Sequence, residues 1–167
     1  MYKIEIPNMN LKQIADSGQC FRWKQMESAG TLKYSIVAFG KYLEIEQDGQ
    51  MFTLSCDEDE WNEVWRGYFD MDTDYEDIKR RIEESDDDHL KLAFEKGNGI
   101  RILKQDLWEI IVSFIISQNN NIKRITKSVD DLCTRSGYLC DGEKTGYRFP
   151  LPGEIDYSLF DDKTMGF

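Results

Sequence analysis

No apolar run in this sequence approaches the length that a helix needs to cross a bilayer. The N-terminus, MYKIEIPNMN, lacks the basic-then-apolar pattern of a signal peptide. Both absences fit a soluble, intracellular protein. Histidine is nearly missing: His89 is the only one, and it follows three aspartates with no visible nucleophile partner. The four cysteines, Cys20, Cys56, Cys133 and Cys140, form no CxxC pair, so the ligand spacing of a zinc site is absent and no metal is expected. Buried free thiols in a reducing compartment account for them better. There is no Ser-His-Asp set, no phosphate-binding loop and no dinucleotide fingerprint, and no cofactor is expected. Internal repeats and low-complexity linkers are also lacking.

What is present suffices for a core. Of 167 residues, 40% are hydrophobic and 13% aromatic, which favours burial over disorder and allows one domain, or one domain and part of a second. The formal net charge is -11. Taken alone, that argues against nucleic acid, because phosphate contacts need Lys and Arg. The charge is unevenly spread, however. Acids concentrate in Asp57 to Glu63 and Asp70 to Asp88, whereas Gly99 to Arg135 is slightly basic. The run Asp86–Asp88 lacks the glycine-containing loop of a cation site and reads as a solvated surface.

The first half has strand patterning. MYKIEIP, QCFRWKQ, KYSIVAFG, KYLEIEQDG and QMFTLSC are short, rich in β-branched and aromatic residues, and separated by Gly or Asp-Gly. Hairpin turns are predicted at Gly40–Lys41 and Asp48–Gln50. A meander of about five antiparallel strands follows, with a short helix from Asn8 or Asn10 to Gly18 ahead of the second strand.

The second half has helical patterning. DEDEWNEVWRGYF, DTDYEDIKRRIEES and DDDHLKLAFEKGNG each begin with acids, which suit a helix N-terminus. KQDLWEIIVSFIISQ is apolar on nearly every face, with Asp106 as its cap, and is expected inside the protein. The next helix places Ile122, Ile125, Val129 and Leu132 on one face and ends at Gly137. After Pro150 and Pro152, a new helix is expected around Tyr157.

Two stretches stand out chemically. SQNNNIKR sets Asn119, Asn120 and Asn121 between two helices, next to Lys123 and Arg124. One asparagine can cap the second helix and another can take a left-handed turn conformation. The third has no evident structural need. Lys123 and Arg124 fall in the first helical turn, where a positive charge opposes the dipole at about 0.3–1 kcal/mol. A capped polar turn with solvated bases explains the pattern; so does a ligand, because amides and guanidinium groups read base edges and phosphates. In DSGQCFRW, Gly18 stands just before a strand. It is either an ordinary turn glycine or a point where the backbone can approach a flat ligand. Phe21 and Trp23 alternate with Cys20 and Arg22, so only one of these pairs can face inward, and the aromatic pair is expected there.

Together, SGQCFRW and GIRILKQDLWEIIVSFIISQNNNIKRI resemble the 8-oxoguanine DNA glycosylases of the helix-hairpin-helix superfamily. WRGYFDMDTDY and FPLP fit the same resemblance, which covers most of the chain. It implies an α+β fold: a twisted antiparallel β-sheet domain with flanking helices over residues 1–100, then the start of the central helical domain over residues 101–167. It implies a monomer that acts on damaged double-stranded DNA and flips the oxidised base from the helix. Asn119 would fill the gap and contact the orphaned cytosine, and Arg124 would hydrogen-bond that base. The Gly18 carbonyl would accept the N7 hydrogen of 8-oxoguanine, a hydrogen that normal guanine lacks.

The family's catalytic lysine and aspartate lie in or after a loop of PGVG type. LPGE at Leu151–Glu154 is only superficially similar, and Lys163 does not match the lysine. No catalytic residue is therefore assigned, and residues 1–167 are expected to be inactive alone, as a portion ending before the helix-hairpin-helix. The alternatives are an alkylated-base glycosylase of the same superfamily and a non-catalytic acidic binding module.

Overall fold

The structure is a computed structural model that describes residues 1–140 and 146–155. The helix expected around Tyr157, and Lys163, lie outside the described residues. Five strands, β1 (Tyr2–Glu5), β2 (Trp23–Met26), β3 (Leu32–Ala38), β4 (Lys41–Asp48) and β5 (Met51–Leu54), form one sheet in the order β1-β5-β4-β3-β2. Strands β2 to β5 are the expected meander, and β1 returns to pair antiparallel with β5, Tyr2 opposite Leu54. The first predicted turn is displaced by one residue. Phe39 and Gly40 both have positive φ and make the turn, while Lys41 begins β4. QCFRWKQ is only half a strand, because β2 begins at Trp23. Its alternation therefore does not govern Cys20–Arg22. Arg22 is buried, whereas Phe21 and Trp23 are half-buried.

Seven α-helices lie among the described residues, and six of them are capped by a side chain. The seven are α1 (Leu11–Asp16), α2 (Glu58–Glu60), α3 (Arg66–Tyr68), α4 (Tyr75–Glu83), α5 (Asp88–Gly97), α6 (Leu107–Ser117) and α7 (Ile122–Ser136). Asn10, Asp57, Asp74, Asp87, Asp106 and Asn121 each accept a hydrogen bond from the backbone N–H three residues on. A π-helical turn, Trp61–Trp65, joins α2 to α3, and the Arg66 N–H reaches back to the Trp61 carbonyl.

The chain divides into two compact units that interleave along the sequence. The first contains Met1–Gln19, Gln25–Tyr34 and Glu44–Lys104; the second contains Cys20–Lys24, Ser35–Leu43 and the chain from Gln105 onward. The first unit's core is aromatic. Trp61, Trp65, Tyr68 and Phe69 are essentially fully buried, with Tyr68 and Phe69 edge to face at 5.2 Å. Gly99 closes this unit against α1. Its N–H donates to Gln13 Oε1 and its carbonyl accepts from the Asn10 N–H, both at 2.8 Å. A Cβ there would stand 2.4 Å from Asn10 Cβ, so only glycine fits.

In the second unit, α6 packs against α7 around Val112, Ile116, Ile125, Val129, Leu132 and Cys133. This corrects the expected burial of α6. Glu109, Val112, Ser113 and Ile116 are buried, but Leu107, Ile110, Ile111, Phe114 and Ile115 are exposed. Ile122, expected on the inner face of α7, is also exposed. Hydropathy reports what a helix could bury, and α7 covers only one side of this one.

Candidate nucleic-acid interface

The turn between α6 and α7 uses two of its three asparagines on itself. Asn121 caps α7, its Oδ1 accepting from the Arg124 N–H at 3.1 Å. Asn120 spans the turn: its Oδ1 accepts from the Asn121 N–H at 3.0 Å and its Nδ2 reaches the Ile116 carbonyl at 3.4 Å. This is the structural need that the sequence did not disclose, although short polar side chains do bond readily to nearby backbone. Asn119 takes the left-handed conformation, φ 51°. It is exposed, and its side chain makes no hydrogen bond among the described residues.

Asn119, Asn120, Asn121 and Arg124 line an open hollow of about 400 Å³. Asn119 and Arg124 are therefore brought together, and both face solvent. Lys123 is exposed beside them, and no acid stands in the first turn of α7. That turn carries two positive charges on a positive helix end, an arrangement that an anion relieves. Replacing Asn121 with alanine is expected to cost about 1 kcal/mol, read as a lower urea midpoint, because it removes the cap.

Gly18 lies just beyond the C-terminus of α1, in the first unit. It is exposed, its φ is +76°, and a Cβ built on it would meet nothing within 4 Å. Its backbone conformation, not crowding, is what calls for glycine. Burial pushes the Cys133 thiol up to about 12 and the Cys56 thiol up to about 11, so both stay protonated at neutral pH. His89 is exposed. Among the described residues no cluster of His, Cys, Asp and Glu could hold a metal, and no helix is long and apolar enough to cross a membrane.

A buried ion pair lies elsewhere in the second unit. Arg22 Nη1 stands 3.8 Å from Glu109 Oε2, and Arg22 Nη2 donates to the Tyr147 carbonyl. Burial pushes Glu109 up to about 7, against the pull of Arg22. Sequence reasoning missed this pair. The alternation of QCFRWKQ points Arg22 outward, and only the start of β2 at Trp23 shows that it does not apply there.

The five-stranded antiparallel sheet with its helices is an α+β fold, and residues 1–111 match the family described as 8-oxoguanine DNA glycosylase, N-terminal domain. The chain belongs to that family. It is 33% identical over 141 residues to the N-glycosylase/DNA lyase of Saccharomyces cerevisiae, covering 77% of this chain and 37% of that protein. It is 26% identical over 167 residues to the N-glycosylase/DNA lyase of Arabidopsis thaliana, covering 88% of this chain and 40% of that protein. Among solved structures, the 8-oxoguanine glycosylase/lyase of Clostridium acetobutylicum, in complex with double-stranded DNA containing cytosine opposite 8-oxoguanine, aligns with a TM-score of 0.84 at 35% identity, over 100% of this chain and 61% of that one. The chain thus spans about two-fifths of the length of these curated relatives.

Proposed function

We propose that this chain is the recognition portion of a base-excision-repair glycosylase/lyase that removes 8-oxoguanine opposite cytosine from double-stranded DNA, within whichever intracellular compartment holds the genome. The observation that carries this reading is the shared exposure of Asn119 and Arg124 on one hollow, with Asn120 and Asn121 already committed to the turn. An amide and a guanidinium at that spot suit the base edge of an orphaned cytosine, and Lys123 suits a neighbouring phosphate. Gly18, open and exposed, serves as the carbonyl acceptor for the N7 hydrogen of the damaged base. On normal guanine two acceptors would face each other, a mismatch that costs about 1–3 kcal/mol. No residue of the chain is assigned to bond cleavage.

The test uses duplexes with an abasic analogue opposite cytosine or opposite adenine, read by fluorescence anisotropy at fixed salt. The unmodified chain is expected to prefer the cytosine duplex. Asn119→Gly keeps the left-handed backbone and removes only the amide, and Arg124→Ala removes the guanidinium. Each is expected to reduce that preference by about tenfold, in line with 1–3 kcal/mol per lost base contact, while melting temperature stays unchanged. An equal affinity for both duplexes in the unmodified chain contradicts the reading. So does cleavage of an 8-oxoguanine duplex by residues 1–167 alone, which are expected to be inert.

A further inference from the structure

Gly18 has nothing of its own to hold its carbonyl still. It is exposed, a Cβ on it would touch nothing, and its carbonyl accepts no hydrogen bond among the described residues. Glycine is also the residue whose backbone turns most freely. The residues on either side, by contrast, are tied down. Ser17 closes α1: its N–H and its Oγ both donate to the Ile14 carbonyl, at 3.2 and 2.6 Å. Gln19 Nε2 donates to Ser17 Oγ at 2.9 Å and to the Arg101 carbonyl at 3.0 Å, while Gln19 Oε1 accepts from the Leu103 N–H at 3.0 Å. One carboxamide thus joins the end of α1 to two backbone groups more than eighty residues on. Only asparagine and glutamine carry an amide donor and a carbonyl acceptor side by side on one planar group, and asparagine is a methylene shorter.

The segment that Gln19 grips is itself fixed. Arg101 is buried, donates to the Asp70 and Pro7 carbonyls at 3.3 and 3.1 Å, and lies over the Tyr75 ring. The Ile102 N–H donates to the Tyr75 hydroxyl at 2.9 Å. All of these residues belong to the first unit.

We propose that Gln19 is the positioning residue for the Gly18 carbonyl, and through it sets how sharply 8-oxoguanine is told from guanine. This rests on the reading of Gly18 as the acceptor for the N7 hydrogen. The link is the peptide plane. The Gly18 carbonyl and the Gln19 N–H belong to one rigid peptide unit, so fixing the Gln19 side chain to Ser17, Arg101 and Leu103 restrains the direction of that oxygen. An acceptor held in place before the base arrives loses little freedom on binding.

The experiment has a DNA-free arm and a DNA arm, both on residues 1–167. In the first, nitrogen-15 relaxation gives the order parameter of the Gln19 N–H, which reports the plane that holds the Gly18 carbonyl. The parent is expected near 0.85, as for rigid backbone, and Gln19→Leu below about 0.6. In the second, fluorescence anisotropy compares affinity for duplexes carrying 8-oxoguanine or guanine opposite cytosine. Gln19→Leu is expected to lower the parent's preference by about fivefold to tenfold, the scale of one lost hydrogen bond. Gln19→Glu keeps the acceptor for Leu103 and loses the donor, so it should fall between the two; it carries the test if Gln19→Leu does not fold. Trp65→Phe, a destabilising change in the same unit, should lower the melting temperature and leave both the order parameter and the preference unchanged. A Gln19 N–H that stays rigid in the variants, or a preference that they leave intact, overturns the proposal while the reading of Gly18 stands. So does an equal loss of preference in Trp65→Phe, which would mark the effect as one of stability alone. A parent with no preference for 8-oxoguanine overturns the reading of Gly18 and the proposal with it.

Discussion

Replacing Arg22 with alanine is expected to destabilise the protein by about 3–5 kcal/mol near pH 8 and by distinctly less near pH 5. At pH 8 the change leaves a buried Glu109 carboxylate without its guanidinium and frees the Tyr147 carbonyl. At pH 5 the carboxyl is protonated and needs no counter-charge. The sign follows from Glu109 itself, whose pKa burial raises from 4.5 to about 7. The folded state holds that proton more tightly than the unfolded chain does. Its stabilising effect is therefore complete below about pH 4.5 and is lost as pH rises through 7. The loss is on the order of 3 kcal/mol, at about 1.4 kcal/mol per unit. Glu109→Gln should flatten the stability profile between pH 4.5 and 7. Urea titrations at four or five pH values measure all three proteins, and a profile for Glu109→Gln parallel to the parent's would discredit this account.

Trp65→Ala is expected to cost a similar 3–5 kcal/mol, a large share of the 5–15 kcal/mol that holds a typical domain together. Trp65 is fully buried, lies edge to face with Tyr68 at 5.7 Å, and donates from Nε1 to Glu60 Oε1 at 2.8 Å. Truncation opens a cavity beneath the π-helical turn and strips Glu60 of its partner. Trp65→Phe keeps most of the apolar volume and loses the hydrogen bond, so its cost should be nearer 1 kcal/mol. Chemical denaturation followed by near-ultraviolet circular dichroism separates the two. Equal stability for Trp65→Ala and Trp65→Phe would show that the cavity is not what matters.

How far the sequence could be read depended on whether the signal was local. The caps at Asn10, Asp106 and Asn121 were legible because each is a short polar side chain bonding to its own backbone a few residues on. The strands were legible for the same kind of reason, since alternation is a local pattern. The exposure of Phe114 and Ile115 was not, because it depends on which partner is there to cover them. Nor was the burial of Arg22, which follows from β2 starting only at Trp23. At the site, Gly18, Asn119 and Arg124 came from family resemblance, whereas patterning alone favoured a plain capped turn. The part Asn120 takes in the turn could be seen only with coordinates.

The interleaving of the two units constrains the order in which the nascent chain can mature. Cys20–Lys24 and Ser35–Leu43 leave the ribosome early, yet the unit they belong to is otherwise made from Gln105 onward. Ser35–Leu43 can pair at once within β3 and β4, but the unit is completed only when α6 and α7 have been synthesised. A stalled ribosome or a premature stop just after Lys104 would release a product whose second unit lacks α6 and α7, the helices that supply most of its core.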